Sequence, residues 1–164
     1  MKRKIHQSTI YLCRAAVIAA LYVVLTLLSA ALGISSGVIQ FRLSEALCVL
    51  PVFTSAAVPG LTVGCLIANL VTGAPAWDVV FGSLATLLGA LGAYVLRRWK
   101  FLSSLPTVLA NAAIIPLVLI FAYDVPDGWL FLVGTVSLGE LVCCTGIGSV
   151  LVAALDKRAD KIFK

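Results

Sequence analysis

The sequence predicts an all-α integral membrane protein, with residues 1–164 forming a single transmembrane domain. Of its residues, 62% are hydrophobic and only 12% are charged, and the mean hydropathy is +1.12. Ordinary soluble domains carry roughly 25% charged residues, so this chain lacks the polar surface that would keep it dissolved. At ~20 residues per span and with short connections, the chain accommodates about six spans. No room remains for a substantial catalytic domain outside the membrane.

The first predicted span covers residues 10–33. It follows Lys2, Arg3 and Lys4, a charged start that also resembles a signal peptide. A signal peptide has an apolar core of only ~7–15 residues, whereas this run is longer and further apolar segments follow it. We therefore expect a retained transmembrane helix rather than a cleaved signal.

The next apolar run, residues 43–71, contains Pro51 and the pair Pro59-Gly60, so it forms either one broken helix or two short helices. Because lysine and arginine collect on the cytoplasmic side, an even number of spans must separate successive basic clusters. That parity predicts two helices here, 43–57 and 58–71, and leaves Arg42 as the basic residue outside the clusters. The clusters are Lys2, Arg3, Lys4 and Arg14; Arg97, Arg98 and Lys100; and Lys157, Arg158, Lys161 and Lys164.

Three further spans are predicted at residues 77–96, 106–121 and 129–155. Together with the first three they give six transmembrane helices and place both termini in the cytoplasm. This topology puts nearly all basic residues on the cytoplasmic side.

The sequence carries no motif for catalysis or for cofactor binding. It lacks the phosphate-binding pattern G-x-x-x-x-G-K-[ST], the dinucleotide pattern G-x-G-x-x-G and the zinc pattern H-E-x-x-H. The five cysteines lie in predicted spans without C-x-x-C spacing, and His6 is the single histidine. We therefore predict no metal site, no cofactor, no catalytic residue and no ATP hydrolysis by the chain itself. Nothing in the sequence indicates a nucleic-acid partner.

Ionisable residues within the predicted spans indicate a binding site. Each costs at least ~2.5–3.5 kcal/mol at the centre of a membrane helix. Arg42 and Glu45 are three residues apart, Asn69 and Asp78 flank one loop, and Glu140 lies in the last span. All of them fall in the outer half of the membrane and are expected to converge on one outward-facing pocket. The candidate substrate-binding residues are Gln40, Arg42, Glu45, Asn69, Trp77, Asp78, Asn111 and Glu140.

Each of these side chains also has a purely structural interpretation. Arg42 and Glu45 can pair with each other, and Asp78 can cap its helix. Asn111 can form a hydrogen bond between helices, and Glu140 can accept one from a neighbouring hydroxyl. The structural reading is weakest for Glu140, because it lies ~15 Å below the outer end of its helix at 1.5 Å rise per residue.

Small residues line the first span in two overlapping pairs. Ala15 and Ala19 are four residues apart, as are Ala16 and Ala20. Small residues at this spacing let another helix approach closely.

Four segments together resemble the QueT family of substrate-binding S components of energy-coupling factor (ECF) transporters. The segments are I39-Q-F-R-L-S-E-A-L-C-V-L-P51, P59-G-L-T-V-G-C-L-I-A-N-L70, D78-V-V-F-G-S-L-A-T-L-L88 and G139-E-L141. The resemblance implies a subunit of the bacterial plasma membrane that binds a queuosine precursor from outside. It also implies docking of the alanine face of the first helix, Ala15, Ala16, Ala19 and Ala20, onto a transmembrane T component driven by two ABC ATPases.

The chemistry of a 7-deazaguanine agrees with the candidate residues. Its adjacent N–H and amino groups suit a carboxylate, and its carbonyl requires a donor such as Arg42, Gln40 or Asn69. Trp77 or Phe41 can stack on the ring, although Trp77 also suits a membrane-interface anchor. An aminomethyl form adds a cation, which favours a second carboxylate nearby.

The sequence is also compatible with other functions. An S component for another vitamin or small ring compound would have the same architecture. A membrane enzyme would need a nucleophile and a base, and His6 is confined to the N-terminal tail. A stand-alone channel would carry polar residues along a full span, whereas here they stop about halfway.

Overall fold

A computed structural model describes residues 2–35 and 41–159. These residues form helices and connecting loops, without a strand among them. The elements are α1 (Lys2–Ala31), a central 3₁₀ helix (Leu43–Val52), α2 (Ala57–Val71), α3 (Ala76–Val95), a 3₁₀ turn (Lys100–Leu102), α4 (Leu105–Tyr123), α5 (Trp129–Glu140), a π-helical segment (Leu141–Ile147) and α6 (Gly148–Asp156).

Four helical stretches are long and apolar enough to cross a membrane: Gln7–Ala31, Ala76–Val95, Lys100–Tyr123 and Trp129–Asp156. The central 3₁₀ helix and α2 are apolar but shorter. They occupy the region where the sequence predicts helices over 43–57 and 58–71. The break comes earlier than predicted, since the 3₁₀ helix ends at Val52 and α2 starts at Ala57.

The central 3₁₀ helix lies inside the bundle, with residues 44–51 all buried. It contacts α1, α2, α3 and the last helix. Two hydroxyls of α1 hold its start: Thr26 Oγ1 donates to Ser44 Oγ at 2.9 Å, and the Leu43 N–H donates to Ser29 Oγ at 3.0 Å. Its ten residues extend about 20 Å at 2.0 Å rise per residue, against about 15 Å in an α-helix.

Helices α1 and α2 approach closely along two glycines. A Cβ atom added at Gly60 would lie 2.7 Å from the carbonyl oxygen of Ala15, and one at Gly64 would lie 3.0 Å from that of Ala19. Ala15 and Ala19 are buried in this contact. This corrects the expectation that all four alanines form an outward face, because one of the two pairs packs inside the chain.

The second pair of alanines has the opposite environment. Ala16 and Ala20 are exposed, as are the neighbouring apolar side chains of Val17, Leu21 and Val24. This face of α1 is therefore apolar, with small residues at its centre.

Contacts define two ends of the bundle. At one end, Lys100 forms an ion pair with Asp156 and lies 5.8 Å from the centre of the Phe53 ring. Tyr11 of α1 reaches the same end, where its hydroxyl donates to the carbonyl oxygen of Ser55 at 3.4 Å. The segments that follow α3 and α6 thus meet at one end of the bundle. The polar site lies at the other end.

Candidate ligand-binding site

Asp78 is the centre of a polar cluster at this second end. Its Oδ2 lies 3.5 Å from Nη2 of Arg42 and accepts a hydrogen bond of 2.8 Å from the hydroxyl of Tyr123. The Asn69 amide donates to its backbone carbonyl at 3.1 Å. Gly82 leaves space for this cluster, since a Cβ there would lie 3.0 Å from the Asn69 amide nitrogen and 3.1 Å from Asp78 Oδ1. The cluster joins α2, α3, α4 and the start of the 3₁₀ helix.

This arrangement disagrees with two of the purely structural interpretations, the pairing of Arg42 with Glu45 and the capping of α3 by Asp78. Arg42 pairs with Asp78 of another helix rather than with Glu45. The side chain of Asp78 lies in the first turn of α3, but α3 has no side-chain cap. Both groups are therefore held by tertiary contacts.

Glu45 is buried deeper, within the 3₁₀ helix. The hydroxyl of Tyr22 donates to its Oε1 at 2.5 Å, and the Cys48 thiol donates to Oε2 at 3.0 Å. In a 3₁₀ helix, side chains three residues apart lie one above the other, so the helix type itself aligns Cys48 with Glu45. Both carboxylate oxygens of Glu45 thus have partners.

Among the described residues, Glu140 is the acid with a buried carboxylate oxygen that has no hydrogen-bond partner. The Asn111 amide donates to its Oε1 at 2.8 Å. Its Oε2 is buried and receives no hydrogen bond from the described residues. Such orphaned buried oxygens are rare in native proteins and call for an explanation. The π-helical segment begins at the next residue, Leu141, and π-turns often occur at functional sites.

The acids line two adjoining chambers, which we call the inner cavity and the vestibule. The inner cavity has a volume of about 20 Å³ and the vestibule about 480 Å³. Arg42 and Ile115 line both chambers. The inner cavity is also lined by Glu45, Gly82, Thr86, Asn111, Val136 and Glu140. The vestibule is also lined by Thr26, Ala30, Ser35, Asn69, Thr72, Gly73, Ala74, Pro75, Asp78, Val118, Leu119, Tyr123 and Val125.

Most of the candidate residues from the sequence meet in these chambers. The exceptions are Trp77 and Gln40. Trp77 lines neither chamber: the residue is 61% exposed on the outer surface of α3, and its ring stacks on that of Phe81 with the ring centroids 5.7 Å apart. A role for Trp77 in stacking on a ligand therefore has no support in its position, since the adjacent Asp78 is the residue that points inward. Gln40 lies outside the described residues.

Several site residues were not predicted from the sequence, among them Tyr22, Thr86 and Tyr123. Tyr22 had a recognisable signal, because Tyr22, Thr26 and Ser29 are spaced i, i+4 and i+7 and so form a polar stripe on one face of α1. Thr86 lies one helical turn beyond Gly82 on α3. Tyr123 ends α4 beside a turn, where its sequence neighbours give no indication of a buried partner.

The fold and these chambers define a class: a multi-pass helical membrane protein with polar cavities between its helices. The comparison with known families identifies the chain further. Residues 12–157 match the model of the QueT transporter family, and the chain belongs to that family. It is thus a transport protein and not an enzyme.

One similar protein is the queuosine precursor transporter QueT of Lactococcus lactis subsp. cremoris strain MG1363. The two chains are 35% identical over 159 residues, which cover 88% of this chain and 91% of the relative. No solved structure matches this chain.

Proposed function

We propose that this chain is the substrate-binding S component of an ECF importer and captures a queuosine precursor at the outer end of the bundle. The ligand class is a 7-deazaguanine such as 7-aminomethyl-7-deazaguanine. The observation that carries this proposal is the buried Oε2 of Glu140, which accepts no hydrogen bond from the described residues and belongs to a side chain that lines the inner cavity. Such an oxygen suits an N–H donor of a ligand.

The vestibule suits the ring of this ligand. Its volume of about 480 Å³ lies within the ~300–1,000 Å³ typical of small-molecule sites. Asp78 offers a carboxylate to the paired N–H donors of the heterocycle, and Arg42 and Asn69 offer donors to its carbonyl. The relative from Lactococcus lactis, named for a queuosine precursor, supports the same ligand class.

The proposed membrane placement is supported by the distribution of basic residues. Six segments would cross the plasma membrane: α1, the central 3₁₀ helix, α2, α3, α4 and the stretch from α5 to α6. Both termini would then lie in the cytoplasm, since the basic end of the bundle suits the cytoplasmic side. The site then opens to the outside, where an imported substrate is first encountered.

Energy for uptake would come from partner proteins. The sequence lacks a phosphate-binding loop, so a T component and two ABC ATPases would supply ATP hydrolysis. The exposed pair Ala16 and Ala20 offers the T component a face that permits close helix contact.

Titration calorimetry of the purified chain with 7-aminomethyl-7-deazaguanine tests the ligand class. We expect tight binding that is weakened in at least two of the variants Glu45→Ala, Asp78→Ala and Glu140→Ala. The matched control is Asp127→Ala, because Asp127 is an exposed acid in the loop at the same end. If no 7-deazaguanine binds, the ligand class is wrong, and an S component for another small ring compound becomes the better interpretation.

A further inference from the structure

We infer that the inner cavity is a subsite for a primary ammonium group, so that the site selects an amine-bearing ligand over its neutral analogues. This inference rests on the proposed function, since it assigns one part of that ligand to one part of the site. It concerns the 7-substituent of the heterocycle, whereas the ring itself is assigned to the vestibule.

Size is the first argument. A volume of about 20 Å³ holds about one water-sized group, since a single water needs roughly 10–15 Å³ by this measure. A bicyclic ring does not fit there, but an ammonium group is comparable in size to a water molecule. Arg42 and Ile115 line both chambers, so the two are direct neighbours, and the inference requires that a short arm of a ring in the vestibule passes beside these two side chains.

Charge is the second argument. The two chambers contain three buried carboxylates, Glu45, Asp78 and Glu140. Among the described residues, Arg42 is the cation that lines the chambers, and its ion pair is with Asp78. Arg42 also lines the inner cavity, but its ion pair is with Asp78, and the two carboxylates of this cavity, Glu45 and Glu140, form no ion pair among the described residues. Placing a cation between them would offset the cost of burying that charge.

Hydrogen bonding is the third argument. An ammonium group donates three hydrogen bonds and accepts none. The orphaned Oε2 of Glu140 is an acceptor without a donor. Glu45 also lines the cavity, although its oxygens already accept bonds from Tyr22 and Cys48. A nitrile, by contrast, brings an acceptor and would leave Glu140 unsatisfied.

Comparison of three ligands on the purified full-length protein tests the inference without any mutation. The ligands are 7-aminomethyl-7-deazaguanine, 7-cyano-7-deazaguanine and unsubstituted 7-deazaguanine. We expect the amine to bind about 10- to 100-fold more tightly than either neutral compound, the range of a charged hydrogen bond. Equal affinities for the three ligands would overturn the inference and leave the ligand class intact. Failure of all three to bind would instead contradict the proposed function.

The variant Glu140→Gln tests whether Glu140 causes the preference for the amine over the nitrile. It keeps the shape of the side chain and removes the charge, so the ratio of amine to nitrile affinity should fall toward one, while nitrile binding changes little. Asp127→Asn, an exposed acid at the same end, should keep the wild-type ratio. Equal loss of affinity for both ligands in Glu140→Gln would mean that Glu140 contacts the ring, and would overturn the assignment. If Glu140→Gln does not fold, the same ratio of amine to nitrile affinity is measured on Glu45→Gln, which removes the charge of the other carboxylate of the inner cavity.

Discussion

At the scale of single residues, Arg42 and Asp78 are the groups that hold the outer end of the site together. Their ion pair connects the start of the 3₁₀ helix to α3, and Tyr123 adds α4 through Asp78. Asp78 is almost fully buried, with a side-chain exposure of 4% against 23% for Arg42. Loss of either partner therefore leaves the other charge without its ion-pair partner, and for the buried Asp78 this is costly.

A double-mutant cycle of Arg42→Gln and Asp78→Asn measures this dependence. Each single variant should lower stability, and the double variant should lose less than the sum of the two, by about 0.5–3 kcal/mol of coupling. Thermal unfolding in detergent provides the measurement. The pair Lys100 and Asp156 is the control, because both of its side chains are exposed and such pairs contribute about 0–1 kcal/mol. Additive losses in the first cycle would mean that Arg42 and Asp78 act independently.

Sequence reasoning found the acids of the site and missed their phenol partners. Glu45, Asp78 and Glu140 stand out because a charge within an apolar run is costly and needs a reason. Tyr123 does not stand out, because tyrosine is common at the ends of membrane helices, and Tyr22 is recognisable only through the polar stripe that it forms with Thr26 and Ser29. The sequence also does not tell which of two adjacent candidate residues on α3 faces the interior. In the structure Asp78 is buried and Trp77 is exposed.

At the scale of elements, the close contact of α1 and α2 is the feature most sensitive to substitution. Gly64→Ala should destabilise the protein by about 1–3 kcal/mol, the range of overpacking. Its added Cβ would lie 2.8 Å from the Cβ of Tyr22 and 3.0 Å from the Ala19 carbonyl oxygen. Unfolding temperature and the yield of monodisperse protein in detergent are the measurements.

Gly134→Ala on α5 is the matched control for this change. No atom lies within 4 Å of a Cβ at Gly134, so the substitution should be neutral or stabilise by up to about 1 kcal/mol through helix propensity. Equal behaviour of the two alanine variants would mean that α1 and α2 can separate without cost.

The helices were largely predictable, and the central 3₁₀ helix was not. Span positions follow from hydropathy, and the parity of basic clusters predicts two helices over residues 43–71, although the break lies at residues 53–56 rather than between 57 and 58. The 3₁₀ form of Leu43–Val52 depends on tertiary contacts, because each of residues 44–51 is buried and Thr26 and Ser29 of α1 hold its start. The π-helical segment after Glu140 is likewise set by packing and has no sequence signature that we recognised.

At the scale of the whole molecule, the proposed importer requires a surface that another membrane protein can contact. Ala16→Leu and Ala20→Leu should abolish uptake of labelled 7-aminomethyl-7-deazaguanine by cells while ligand binding to the purified protein is preserved. The reason is that bulky side chains on this exposed face of α1 prevent close helix approach. Uptake and calorimetry on the same variants separate the two steps.

Ala113→Leu serves as the control for this surface. Ala113 is an exposed alanine on α4, away from α1, and its replacement should change neither uptake nor binding. Normal uptake by the α1 variants would show that this face of α1 contacts only lipid.

The glycine contact between α1 and α2 also has a mechanical consequence. Because the backbones meet at Gly60 and Gly64 without an intervening layer of side chains, there is little compressible material between the two helices, and we expect them to move as one rigid body. Tyr22 lies on this same face and bonds Glu45. We therefore expect a displacement of α1 to move the Tyr22 hydroxyl, and with it the hydrogen bond to Glu45, which lines the inner cavity.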